Sequence, residues 1–263
     1  IKNINKPNVN FTNFNFNNDN IPPEPTSLGG EISFQAILKS VLLFNKNKVD
    51  AIVTAPISKE SLHLADHKYD GHTGLLGSLY KNNSPVMFLV NKKFITGHVS
   101  THISLKESIN KVKTKRILEI IKLGCNHLSK LGNINPRVAI CGLNPHAGEN
   151  GLFGNEEINE IIPAIQIARK LGINIIGPIS ADVIFQDAFN GKYDLVISQY
   201  HDQGHIPIKL LALETSVNVT LGLPIIRTSV DHGTAFDIAW SNKAKIKNII
   251  VSILYACRMV TWK

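Results

Sequence analysis

The sequence predicts an α/β fold, with a largely parallel sheet covered by helices on both faces. Three observations predict it. From Gly29 onward, short apolar runs of strand length alternate with stretches of helical periodicity. Gly, Pro and His gather just after several of those runs, where open α/β sheets carry their ligands. The 263 residues are 43% hydrophobic and 18% charged, with mean hydropathy +0.02, which excludes a disordered chain, a coiled coil and a collagen-like repeat.

Taken in order, residues 1–27 are dominated by Asn and carry Pro22, Pro23 and Pro25, so neither periodicity can be sustained and loop is expected. Strands are expected at residues 51–54, 86–90, 138–141, 173–176, 195–198 and 217–221. A helix is expected over residues 105–123, where Leu105, Ile109, Val112, Ile117, Ile120 and Ile121 approximate one stripe and Gly124 offers a stop. A second helix starts near Asn155, with Glu156 and Glu157 in its first turn, and ends at Gly172; Pro163 should kink or restart it. No apolar run reaches the roughly 18 residues of a membrane span, and the start lacks a signal-peptide pattern. Cys125, Cys141 and Cys257 are too few and scattered for a disulfide framework, so a reducing, cytoplasmic setting is expected. The net charge is +8, but the basic residues are spread out and form no helix face. A polyanion-binding protein is therefore a weaker reading than an enzyme, and neither a nucleic-acid nor a membrane partner is expected.

The candidate chemistry follows the strands. His102, His146 and His201 each come shortly after an apolar run, beside turn-forming residues. Taken singly, each is more simply a surface or core histidine; together, three imidazoles from three strand ends suit one divalent cation with an open coordination position. The turn of Asp70, Gly71, His72 and Thr73, and the trio Lys209, Asn218 and Arg227, suit an anion, although a solvated surface charge is the ordinary role of a basic residue. Arg227 departs from that role because it follows Leu223, Pro224, Ile225 and Ile226, a stretch expected to be buried. Residues 229–239 read as a Gly-containing turn that opens a helix, whose N–H groups suit a polar or anionic ligand as well as a simple cap. Neither G-x-G-x-x-G after a strand nor a P-loop is present.

Taken together, the segments DAIVTAPISK (residues 50–59), GHT (71–73), TH (101–102), NPHAGE (144–149), YHDQG (200–204) and NVTLGLP (218–224) resemble the 4-hydroxythreonine-4-phosphate dehydrogenases. Paralogues in that family oxidise 4-phospho-D-threonate or D-erythronate. The resemblance runs from about Gly29 to the C-terminus and implies a fold like the isocitrate and isopropylmalate dehydrogenases, with two α/β/α lobes sharing a cleft. By position the lobes would be residues 1–73 with 240–263, and residues 74–239. It further implies a homodimer with the active site at the interface and a divalent metal (Zn, Mg or Co) on His102, His146 and His201. His72, Thr73, Lys209, Asn218 and Arg227 would contact a small phosphorylated hydroxy acid. NAD or NADP would lie at His232, Gly233, Thr234, Ala235 and Asp237. Lys209 and Asp202 are the candidates for proton transfer, by nearness in sequence.

The implied reaction is oxidation and decarboxylation of 4-phosphooxy-L-threonine to 3-amino-2-oxopropyl phosphate in pyridoxal phosphate biosynthesis. The alternatives are the 4-phospho-D-threonate or D-erythronate reaction, or a non-catalytic pseudoenzyme. Three departures stand against the family pattern. The leading strand and Gly-Asp/Glu-Pro-Ala-Gly-Ile-Gly loop expected of the family do not occur in these residues, Gly74 stands where Glu is typical, and Trp240 and Asn242 replace glycines.

Overall fold

The computed structural model describes residues 22–80, 84–212 and 215–261. The strands are β1 (Ile52–Thr54), β2 (Val86–Val90), β3 (Ile95–His98), β4 (Val138–Cys141), β5 (Ile175–Ile179), β6 (Leu195–Ser198), β7 (Val217–Leu221) and β8 (Arg227–Ser229). They form one sheet in the order β1-β8-β7-β2-β3-β6-β4-β5. Five of the six expected strands stand within a residue of their expected bounds, and β5 is shifted toward Pro178.

The sheet is mixed rather than largely parallel. The pairs β1/β8, β3/β6, β4/β6 and β4/β5 are parallel, whereas β8/β7, β7/β2 and β2/β3 are antiparallel. Connection length is the cause for the pairs β2/β3 and β7/β8. Asn91 Oδ1 accepts from Lys93 N at 2.7 Å and Phe94 N at 3.1 Å, closing a tight turn between β2 and β3. Gly222 and Pro224 turn the chain as sharply between β7 and β8. Such short connections join only antiparallel strands.

The helices are α1 (Ser27–Asn45), α2 (Lys59–Leu64), α3 (His72–Leu79), α4 (Leu105–Lys111), α5 (Thr114–Lys130), α6 (Ile162–Lys170), α7 (Ala181–Phe189), α8 (His201–Ala212) and α9 (Lys247–Thr261). The expected helix over residues 105–123 is two helices, and Gly124 lies inside the second. Glu160 makes the break: its carboxylate accepts from Thr114 N at 2.8 Å and caps α5 from another part of the chain. Leu105 and Ile109 consequently face outward, while Val112, Ile117, Ile120 and Ile121 are buried. Pro163 restarts a helix as expected, at the first turn of α6 after a π-helical turn at Glu157–Ile161. No full helix opens within residues 229–239; after β8 ends at Ser229 the chain continues as a loop and a 3-10 turn at Phe236–Ile238. The loop expected at residues 1–27 lies mostly outside the described residues, and α1 begins at Ser27 with the Thr26 hydroxyl as its cap.

One face of the sheet packs Phe88, Ile140, Ile197 and Val219 against Ile117, Ile120 and Ile121 of α5 and Ile165 of α6. The other packs Leu89, Ala139, Cys141 and Val196 against Ile184 and Phe185 of α7 and Ile208 of α8. A smaller cluster around β1 joins Ile52 to Ile37 and Val41 of α1 and Leu75 and Leu76 of α3. Among the described residues α1 alone has the length and hydropathy of a membrane span, yet it carries Glu31 and Lys39 and supplies Ile37 and Val41 to that cluster. All of the strands share one sheet, so β1 of the first expected lobe pairs directly with β8 of the second.

Gly204 sets how closely α8 approaches the sheet. A Cβ there would meet His98 Nε2 and stand 2.6 Å from Ser198 Oγ. The variant Gly204→Ala is expected to destabilise the fold by about 1–3 kcal/mol through overpacking, read as a lower midpoint in urea unfolding. An unchanged midpoint would show that α8 is free to shift.

Candidate active site

The cross-strand register places a row of side chains on one face of the sheet. Arg227 lies opposite Thr220, Thr220 opposite Met87, and His98 opposite Ser198, with Met87 and His98 adjacent across the hairpin. Directly opposed residues point to the same side. The bonds along the row agree: Arg227 Nη1 donates to Thr220 Oγ1 at 3.0 Å, and Thr96 Oγ1 bonds Ser198 Oγ at 2.9 Å. Helix α8 covers the His98 end.

At the other end, Arg227 is 2% exposed. Its Nη2 donates to Thr54 Oγ1 at 2.8 Å and its Nη1 also reaches Asn218 Oδ1 at 3.5 Å. Among the described residues its Nε has no partner and none of its partners is a carboxylate. Burial lowers the guanidinium pKa to about 9, a measure of how poorly its charge is compensated. His72, at the start of α3, lies close enough that burial first, and then the Arg227 charge, push its pKa down to about 3. A buried cation beside a neutral imidazole and three neutral oxygen or amide groups is arranged for an anion from outside.

His98 and the helix-borne histidines form a stack. The His201 and His205 rings are 3.7 Å apart and nearly parallel at 12°. The His205 ring lies 4.6 Å from His98, and His102 lies 5.5 Å from His201. His201, His205 and Lys209 recur every four residues, so one face of α8 carries all three. Burial, joined by His98 and His201, lowers the His205 pKa to about 2; burial and then Lys59 and His201 lower that of His102. Neutral imidazole is the metal-binding form. Asp202 Oδ1 accepts from His201 Nδ1 at 2.6 Å, which leaves Nε2 of that ring as the free donor atom. This orienting contact is where the structure places Asp202. Lys209 is exposed, with its charge facing His205 and Asp231.

His146 stands apart from the pair. It leads a left-handed stretch over residues 146–150, and its ring lies 6.3 Å from Phe153. Buried Glu157 holds the loop: its Oε1 accepts from Leu143 N at 2.7 Å and Asn144 N at 2.8 Å, and its Oε2 from Asn144 Nδ2 at 2.9 Å. Among the described residues no three His, Cys, Asp or Glu side chains of one chain stand together as a metal centre. The donor chemistry nevertheless suits a divalent cation, with two adjacent imidazoles, His102 held toward its neutral form and His201 backed by a carboxylate, and a third exposed on the loop after the neighbouring strand β4.

Thr73 and His102 line one cavity of about 580 Å³, together with Asp70, Gly74 and Ser100. Gly74 thus leaves open volume where a longer side chain would project. His232, Gly233 and Thr234 form an exposed loop after β8, Ala235 is left-handed at φ 50°, and Asp237 lies in the 3-10 turn. Trp240 and Asn242 take φ of 61° and 57°, the backbone region that favours glycine, so the turn is retained at the expense of strain. The Trp240 ring is 78% exposed and does not fill the site.

Sequence reasoning missed Glu157 as the anchor of the His146 loop and gave no role to His98. His98 carried a weak signal, two residues before the turn leading to His102. His205 carried a stronger one, its spacing of four from both His201 and Lys209.

A family profile described as "Pyridoxal phosphate biosynthetic protein PdxA" matches residues 2–256. The D-threonate 4-phosphate dehydrogenase of Salmonella typhimurium is 46% identical over 230 residues, covering 88% of this chain and 70% of that protein. The 4-hydroxythreonine-4-phosphate dehydrogenase of Geobacter metallireducens is 45% identical over 239 residues, covering 91% and 70%. A crystal structure of the 4-hydroxythreonine-4-phosphate dehydrogenase of Klebsiella pneumoniae superposes with TM-score 0.80 at 45% identity, covering 91% of this chain and 72% of that one.

Proposed function

Because the chain belongs to the family of the pyridoxal phosphate biosynthetic protein PdxA, we propose that it is a metal-dependent, NAD- or NADP-linked dehydrogenase of a small phosphorylated hydroxy acid. The reaction is the oxidation and decarboxylation of 4-phosphooxy-L-threonine to 3-amino-2-oxopropyl phosphate. A second reading, favoured by the Salmonella typhimurium relative, takes 4-phospho-D-threonate, or D-erythronate in its phosphorylated form, as substrate. The observation that carries both is buried, carboxylate-free Arg227 on the same sheet face as the imidazole stack. The setting is cytoplasmic and reducing, with three free thiols.

In this mechanism Arg227, with His72, Asn218 and Thr73, grips an anionic end of the substrate and supplies orienting energy away from the reacting carbon. His102, His146 and His201 hold the cation in a homodimer with its site at the subunit interface, Asp202 fixing the His201 tautomer. A divalent metal and a nicotinamide nucleotide supply, when bound, Lewis acidity and a hydride acceptor. Lys209 Nζ, facing Asp231 and His205, moves the proton. The loop of His232, Gly233, Thr234 and Ala235, with Asp237, holds the nucleotide.

Reduced-nucleotide formation with each of the three acids, with and without Zn²⁺, Mg²⁺ or Co²⁺, tests this reading. Turnover of one acid that stops on chelation is expected. Folded protein that turns over none of them is a pseudoenzyme, and the reading fails.

A further inference from the structure

Helix α9 packs Val251, Tyr255 and Met259 against the core, yet its most deeply buried line is largely polar. That line carries Asn248, Ser252 and Ala256, while Ile250, Ile253 and Leu254 point outward. The polar groups so buried are all engaged. Asn248 Oδ1 accepts from Asp231 N at 3.0 Å, Asn248 Nδ2 donates to Ser216 O at 2.7 Å, and Ser216 Oγ donates to Asp231 Oδ2 at 3.0 Å. These contacts close a ring through residues that are 5%, 9% and 0% exposed at Asn248, Asp231 and Ser216. The seam continues along α9: Ser252 Oγ donates to Asn248 O at 2.9 Å and Thr228 Oγ1 to Ser252 O at 2.9 Å.

Leucine at position 248 would bury more apolar surface but leave Asp231 N and Ser216 O without their partner, so the ring fixes an arrangement of the chain as well as filling space. The arrangement this ring specifies is the root of the exposed loop that follows Asp231. Among the described residues little else holds the chain in that loop: Gly233 has no neighbour within 4 Å of a would-be Cβ, and His232 Nδ1 bonds the adjacent Gly233 carbonyl at 3.0 Å. We propose that Asn248 and Ser216 are positioning residues for the nucleotide, clamping Asp231 so that residues 232–235 present their backbone in one orientation. The clamp ties nucleotide binding to α9 through Asn248. This rests on the reading of that loop as the nucleotide site.

The test measures NAD binding by titration calorimetry in the metal-loaded protein, and separately the KM of the phosphorylated acid. Asn248→Leu is expected to weaken NAD about tenfold, the equivalent of one net buried hydrogen bond. Ser216→Ala, which removes the hydroxyl that donates to Asp231, is expected to weaken it about threefold. The KM of the acid should stay within about twofold in both, because Arg227 and Asn218 are untouched. If Asn248→Leu fails to fold, Ser216→Ala decides. Equal losses for nucleotide and acid would mark the ring as merely structural and overturn the proposal, as would unchanged NAD affinity in both variants. The loop variants His232→Ala and Thr234→Ala separate the two levels: if they leave NAD affinity unchanged, it is the loop's assignment as the nucleotide site that fails.

Discussion

Replacing Arg227 by Met is expected to lower kcat/KM for the phosphorylated acid by about 10²–10³-fold while leaving the melting temperature unchanged or raised. The two effects have opposite signs for one reason. The guanidinium is 2% exposed, with a pKa brought down to about 9 by burial and only neutral hydroxyl and amide partners. In the empty protein it is a desolvated charge without a counter-charge, which destabilises the fold. In the complex the same charge meets an anion in a low-dielectric setting, where charge-assisted bonds are about twice as strong as neutral ones. A methionine of similar reach removes the first penalty and the second gain together. Arg227→Lys is expected to rescue little, since one ammonium cannot reproduce the fork spanning Thr54 and Thr220. Steady-state kinetics and a thermal melt on the same preparation check this. A variant that loses stability and keeps its KM would mean that Arg227 holds strands together and meets no substrate.

His146→Ala should abolish turnover and weaken metal binding by at least about 100-fold, with unfolding unchanged. The side chain is exposed and its loop is held by Glu157, so the fold does not depend on it. His201→Ala should give the same metal phenotype, because that ring pairs with His102. His146 stands apart from both within one chain, so the two variants are expected to complement each other when refolded together, with partial activity returning in mixed dimers. Full activity in His146→Ala would remove it from the ligand set. Mixed samples without activity would place all of the ligands of each cation on one chain.

Most of the strands were legible because each is a short apolar run bounded by turn residues. Their direction was less so, since it depends on how briefly the chain travels between them, and the tight returns at Asn91 and Gly222 outweigh the βαβ rhythm. The split of the long helix at Lys113 was illegible for a different reason: its cap, Glu160, is remote in sequence and carries no local signal at Thr114. Among site residues, His102 and His201 were found by their places after strands, and the structure sets them side by side. Arg227 was found through its apolar flank, and it is buried. Asn248 was hidden because an Asn early in an apolar helix reads as an exposed residue until the helix is seen to bury the line of Asn248, Ser252 and Ala256.

From Arg227 to His98 the row crosses β8, β7, β2 and β3, and neighbouring strands lie roughly 4.8 Å apart, so the two backbone anchors are roughly 14 Å apart. Backbone hydrogen bonding fixes that span, and it changes only in whole strands. A ligand held along this row as proposed would thus be measured by a ruler graduated in main chain, with only the lengths of the side chains reaching inward from each mark left for fine adjustment.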